Sequence, residues 1–241
     1  MYYYLLFLLL LLPCLAFSAI ASAKVHSTFS AFDKVANRSR MTGYDTATLL
    51  MRNRGVHDIS VNRVRGRLSD HYHPAKKQVN LSESTYGSAS VAAVAVAAHE
   101  IGHVMQKQSG YLPYKIRNFL VPVTNLGSRL AFPVIIVGIL LDFFAATVVP
   151  IGEYLVYAGI ALYGLSTLFM LVTLPVEFNA SRRARKMLVE DGVLEQDEVG
   201  GAKKVLNAAA LTYVASLLIS FVYFLHFLIV MLSLLGRGRN R

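Results

Sequence analysis

His99-Glu100-Ile101-Gly102-His103 is the stretch whose residue types and spacing can do chemistry. Two histidines four apart on a helix project from the same side, a little more than one turn from each other. Their imidazoles can chelate one zinc ion, while the intervening glutamate lies beside the metal and can act as a base toward water. With 7 histidines in 241 residues and a similar number of glutamates, chance would produce this pattern in only about 0.6% of such chains. The surrounding Ser88 to Gln106 is rich in Ala and Val and reads as one apolar helix. Burying two histidines and a glutamate on such a helix is costly unless they have partners.

A catalytic zinc keeps three protein ligands and one open position, so a third donor is required. Glu177, in Leu174-Pro175-Val176-Glu177-Phe178-Asn179-Ala180-Ser181, is the candidate. Pro175 suits a helix start, which places Glu177 in a first turn. There it is either the third ligand or an acid stabilised by the helix dipole. The residues alone leave both readings open.

The elements that must position this group belong to a membrane protein. Hydrophobic residues make up 55% of the chain and charged ones 16%, against roughly 45–50% and about 25% in soluble domains. That balance excludes a disordered chain and an ordinary soluble globule. The net charge of +10 is accompanied by no nucleic-acid-binding motif and reads as positive-inside topology. The single cysteine, Cys14, excludes an intramolecular disulfide and a cysteine-rich zinc cluster. Its own setting, after Pro13, makes it a plain membrane residue.

Four apolar runs organise the chain. Residues 1–23 form an N-terminal anchor; Ala21-Ser22-Ala23 resembles a cleavage site, but no basic residue precedes the run as a signal peptide requires. Residues 24–130 form a mixed region containing the HExxH helix. Residues 131–174 form a transmembrane hairpin of two runs, Ala131 to Val149 and Tyr154 to Leu174, each near the roughly 20 residues that span a bilayer. Asp142 lies near the end of the first and reads as an interface residue. Residues 175–206 form a polar loop and helix, and residues 207–241 a last membrane helix, long for one upright crossing, with a basic tail.

Arg182, Arg183, Arg185, Lys186, Lys203 and Lys204 crowd the loop between the third and fourth runs, while the hairpin tip has no basic residue. The positive-inside rule then puts both polar regions, and the catalytic face, in the cytoplasm. Arg237, Arg239 and Arg241 do not fit if the fourth run crosses once. Within the mixed region, Thr42-Gly43-Tyr44-Asp45 reads as a capping-box helix start. Ile59 with Val61, and Val79 with Leu81, alternate as strands around a turn at Pro74.

Several of these stretches resemble the YugP-like family of membrane zinc metallopeptidases. They are Met41-Thr42-Gly43, Asp70-His71-Tyr72, Val96-Ala97-Ala98-His99-Glu100, Leu174 to Ser181, and Val205-Leu206-Asn207-Ala208-Ala209-Ala210. The layout is more distantly similar to HtpX-like membrane proteases, with HExxH, a membrane hairpin and then a glutamate ligand. The resemblance implies that His99, His103 and Glu177 bind zinc and that Glu100 is the general base. Two positions depart from the patterns. Ser181 stands where the HtpX-like pattern has an aspartate, so a carboxylate supporting a zinc histidine must come from elsewhere or be absent. His73 stands where the YugP-like pattern has an acid, and no role carries over to it.

The expectation is a mainly α, multipass membrane protein with a zincin-like catalytic unit and a small β element. It would be a zinc metalloendopeptidase acting on protein or peptide substrates at or near the lipid bilayer, with no nucleic-acid partner. A substrate could pair with an exposed strand edge over Lys77 to Leu81, and His71 or Tyr72 could stabilise an oxyanion or simply a turn. His26 and His57 read as surface residues and His226 as a histidine near a membrane interface. The rival classes are a metal transporter or sensor, which needs polar groups converging inside the bilayer, and a scaffold with structural zinc, which leaves Glu100 without a role.

Overall fold

Charge-free apolar runs satisfy their backbone internally by coiling, and the chain is accordingly dominated by long helices. The computed structural model describes residues 2–144 and 151–238. In chain order the elements are α1 (Tyr2–Asp33), α2 (Gly43–Arg52), β1 (Ser60–Val64), β2 (His71–His73), β3 (Gln78–Ser82), α3 (Glu83–Tyr86), α4 (Val91–Gln108), α5 (Leu112–Phe144), α6 (Ile151–Glu190) and α7 (Val199–Gly238). Among the described residues, α1, α5, α6 and α7 are long and apolar enough to cross a membrane.

These helices outrun the apolar stretches that announce them. α5 begins at Leu112, well before Ala131, and passes Pro122 and Pro133. α6 passes Pro175 and continues to Glu190, so Pro175 does not start a helix. A proline inside a helix removes one i to i−4 bond, but here the turns on both sides are already formed and hold it. Glu177 therefore stands inside a long helix, with no first-turn dipole to stabilise it. α7 is one helix and does not turn back. The Asp142 side chain, residues 145–150 and the Arg237, Arg239 and Arg241 side chains lie outside the described residues.

The chain forms two compact units. The first comprises Met1–Ala19, Ile116–Thr173 and Tyr213–Arg241. Many of its large side chains face outward, Leu9, Phe119 and Phe221 among them, as helices that are apolar all round do in lipid. Inside it, Thr167 Oγ1 bonds Ser220 Oγ at 2.8 Å, and Tyr163, Tyr223 and Phe227 pack as aromatic neighbours. His226 stacks on Phe7 at 4.1 Å. α5 and α6 close on each other at Gly138, where a Cβ would stand 2.6 Å from the Gly152 carbonyl oxygen.

The second unit comprises Ile20–Lys115 and Leu174–Thr212. Thr42 caps α2 in a capping box with Asp45, and Ser90 caps α4 by accepting from the Ala93 N–H. The three-stranded sheet has the order β1-β3-β2, with β1 parallel and β2 antiparallel to β3. β3 is thus the central strand, and Lys77 to Leu81 offers no free edge. The sequence alternation that marks β3 also marks a strand buried on one face, and it carries no information about which neighbours flank it. The edges are β1 and the short β2, the latter read from sequence as part of a turn. The core packs Leu50 and Met51 of α2, Val79 and Leu81 of β3, Val94, Ile101 and Val104 of α4, Leu188 of α6 and Leu206 of α7.

Candidate metal centre

The site forms where α4 meets α6 within the second unit. Gly102 allows the approach: a Cβ there would stand 2.6 Å from the Ala180 carbonyl oxygen. One of the two unspecified positions of the HExxH pattern is therefore fixed by packing. With the helices this close, His99 and His103, one turn apart on α4, face Glu177 on α6. His99 Nε2 lies 3.2 Å and His103 Nε2 3.6 Å from the same Glu177 oxygen, Oε2. The three donor atoms lie within 4.8 Å of one another, and Glu177 is 1% exposed.

Each imidazole is oriented through its other nitrogen. His99 Nδ1 lies 3.1 Å from Ser181 Oγ, so a serine hydroxyl, not a carboxylate, meets this ring. His103 Nδ1 donates to Gln106 Oε1 at 2.9 Å. Gln106 Nε2 in turn donates to the Val176 carbonyl at 2.7 Å and to Asn179 Oδ1 at 3.1 Å. One fully buried amide thus fixes a histidine on α4 and grips α6 beside Glu177. Sequence reasoning missed Gln106. Its signal was present: a primary amide three residues after His103, on the same face of an apolar helix. With both Nδ1 atoms occupied, both Nε2 atoms are left to bind a metal, the arrangement that supporting hydrogen bonds impose at metal sites.

The carboxylates are shifted in opposite directions. Burial pushes Glu100 up to about 7; Glu177 and Asp70 add to this, while His99 and the Tyr72 backbone amide oppose it. Burial acts to raise Glu177 too, but the hydrogen bonds and charges of His103 and His99 outweigh it and hold that carboxyl well below the usual range. One acid is thus set to stay ionised among the imidazoles, the other to exchange a proton near neutrality.

The remaining candidates fall into place around this centre. His71 is exposed, with Nδ1 2.8 Å from the Ser69 carbonyl and Nε2 3.0 Å from Asn80 Nδ2, so it stabilises the turn. Tyr72 packs on the core, and burial raises its hydroxyl to about 12. Asp70 accepts from the Ser82 N–H and hydroxyl, each at 2.8 Å, locking β2 to β3. His26 and His57 are exposed, and His73 accepts from the Lys76 backbone N–H.

Helices able to cross a membrane, together with a buried cluster of two imidazoles and a carboxylate, define a membrane metalloprotein. Residues 7–232 match the family described as "Putative neutral zinc metallopeptidase". The chain is also 40% identical, over 235 residues, to the "Putative membrane protease YugP" of Bacillus subtilis (strain 168), covering 98% of this chain and 100% of that protein. No solved structure matches. The chain belongs to this zinc metallopeptidase family, and zinc is accordingly its metal.

Proposed function

We propose that the protein is a membrane-embedded zinc endopeptidase of zincin type, in which His99, His103 and Glu177 hold the metal and Glu100 is the general base. The observation that carries this reading is the convergence of both Nε2 atoms on Glu177 Oε2. Two imidazoles and one carboxylate are the donor set of a hydrolytic zinc site, whereas structural sites take four protein ligands. A zinc ion held there supplies Lewis-acid polarisation of the scissile carbonyl and acidifies water.

The chain's own residues do the rest. Glu100 removes a proton from the attacking water as its oxygen bonds to the carbonyl carbon. It then delivers that proton to the departing nitrogen as the carbon–nitrogen bond breaks, leaving a carboxylate and an amine. A carboxyl set near 7 by burial can make both transfers. An extended peptide adds to β2, the edge strand beside α4, by main-chain hydrogen bonding. A transporter would instead need polar groups gathered within the apolar runs, and this cluster lies in the other unit.

The test is metal content read beside hydrolysis. Wild-type protein should carry about one zinc per chain, the His99→Ala, His103→Ala double variant none, and Glu100→Gln a full complement without peptidase activity. Metal retained by the double variant, or hydrolysis retained by Glu100→Gln, contradicts the assignment. The catalytic face is assigned to the cytoplasm from the basic loop. In a Cys14→Ser background, cysteines at Lys76 and Lys186 should resist an impermeant thiol reagent in intact cells, and one at Ile151 should react; the reverse pattern inverts the topology.

A further inference from the structure

A cavity of about 930 Å³ opens within the second unit between α1, α6 and α7, on residues that the metal centre does not use. Its lining is divided by chemistry. Lys24, Thr28, Lys204 and Asn207 supply cationic and hydrogen-bonding groups, while Phe32 and Phe178 supply apolar wall. No acidic residue is among its described lining. The Lys204 ammonium stands over the Phe32 ring at 5.8 Å, and neither Lys24 nor Lys204 enters an ion pair among the described residues.

The sequence sets the depth of this cavity. Lys24 is the first charged residue after a charge-free run that begins at Met1, and Lys204 the last before one that reaches Gly236. Phe178 follows Glu177, the first charge after the run from Tyr154. All three lining helices thus reach the cavity where their apolar runs end, which is the level of the bilayer's polar boundary. Two unpaired ammonium groups beside an apolar wall at that level match an anionic headgroup with its acyl chains alongside. Basic pockets between membrane helices bind acidic phospholipids in this way.

We propose that this cavity is a binding site for one anionic phospholipid, with its phosphate between Lys24 and Lys204 and an acyl chain running past Phe178 and Leu211 toward the apolar runs. The cavity shares no lining residue with the metal centre, and the proposal does not depend on peptidase activity.

The chain has no tryptophan, so Phe178→Trp is a single fluorescent reporter. The full chain is reconstituted in phosphatidylcholine vesicles with a minor fraction of chain-brominated phosphatidylglycerol or of equally brominated phosphatidylcholine. The acidic lipid should quench with about tenfold preference, as two lysines near the surface allow. The Lys24→Gln, Lys204→Gln pair should abolish that preference, and the charge-matched Lys186→Gln, Lys203→Gln pair should keep it. Leu211→Trp, lining the same cavity, gives an independent reporter should Phe178→Trp disturb the fold. Excess inorganic phosphate should leave the quenching unchanged. Equal quenching by both lipids, a preference that survives loss of Lys24 and Lys204, or displacement by phosphate alone would each overturn the proposal.

Discussion

The two units use the same packing device for different ends. In the membrane-run unit, Gly138 lets α5 and α6 touch, and what surrounds the contact is apolar: Val156 lies 3.0 Å from where a Cβ would be. In the second unit, Gly102 lets α4 and α6 touch just as closely, but polar groups line the contact. Glu177, Ser181, Gln106 and both histidines are satisfied there chiefly by one another. Close helix approach alone makes a seam. It becomes a site only where each buried polar group has a partner and one set of lone pairs is left aimed at a common point.

Alanine at the two glycines separates these uses most strongly. Gly102→Ala forces α4 and α6 apart by displacing backbone, so zinc binding and hydrolysis should be lost, with destabilisation of about 1–3 kcal/mol. Gly138→Ala should destabilise by a similar amount yet leave the zinc content of the folded fraction unchanged. Metal analysis of both variants checks this, and equal zinc in the two would show that seam spacing does not set the site.

A smaller effect distinguishes the supports of the two histidines. Gln106→Leu leaves His103 without an acceptor and cuts the grip on Val176 and Asn179, so zinc affinity should fall about 10–100-fold. Ser181→Ala removes one bond to a less buried ring and should cost less than tenfold. Competition with a metal-binding dye measures both, and a larger loss at Ser181 would reverse the assignment.

How much of this was open to sequence reading follows from range. HExxH is a local pattern and places both imidazoles on one face of any helix that carries it. The four apolar runs are likewise local, as is the Thr42 capping box. Glu177 could be named but not understood, because its environment is made by α4, far away in the chain. Gln106 showed only the local half of its role, an amide one turn from His103, since its partners Val176 and Asn179 lie on another helix. The proline at 175 misled because its local preference for helix starts is overridden by turns already formed on either side. β3 could not be read as central because it acquires its second neighbour, β1, through a parallel pairing that alternation does not encode.

A separate effect is expected on pH-dependent stability. With its folded value near 7 against 4.5 for the free carboxyl, Glu100 binds more protons folded than unfolded. Metal-free stability should therefore fall as pH rises from 4.5 to 7 on its account. Glu177 acts oppositely, with stability present above 4.5 and lost as pH falls. Glu100→Gln removes only the first dependence. Its thermal advantage over wild type in chelator should be slight at pH 5 and greatest at pH 8, at most about 3 kcal/mol. A constant difference across that range would contradict the burial-driven shift.

The central claim, that two imidazoles and one carboxylate from α4 and α6 meet on zinc, is tested most directly by zinc-edge X-ray absorption on wild-type protein and Glu177→Gln. The wild type should give two imidazole nitrogens and oxygen donors near 2.0–2.2 Å, with no sulfur, while Glu177→Gln should lose most of its zinc under the same preparation. A sulfur ligand, a number of imidazoles other than two, or full zinc with unaltered coordination in Glu177→Gln would contradict it.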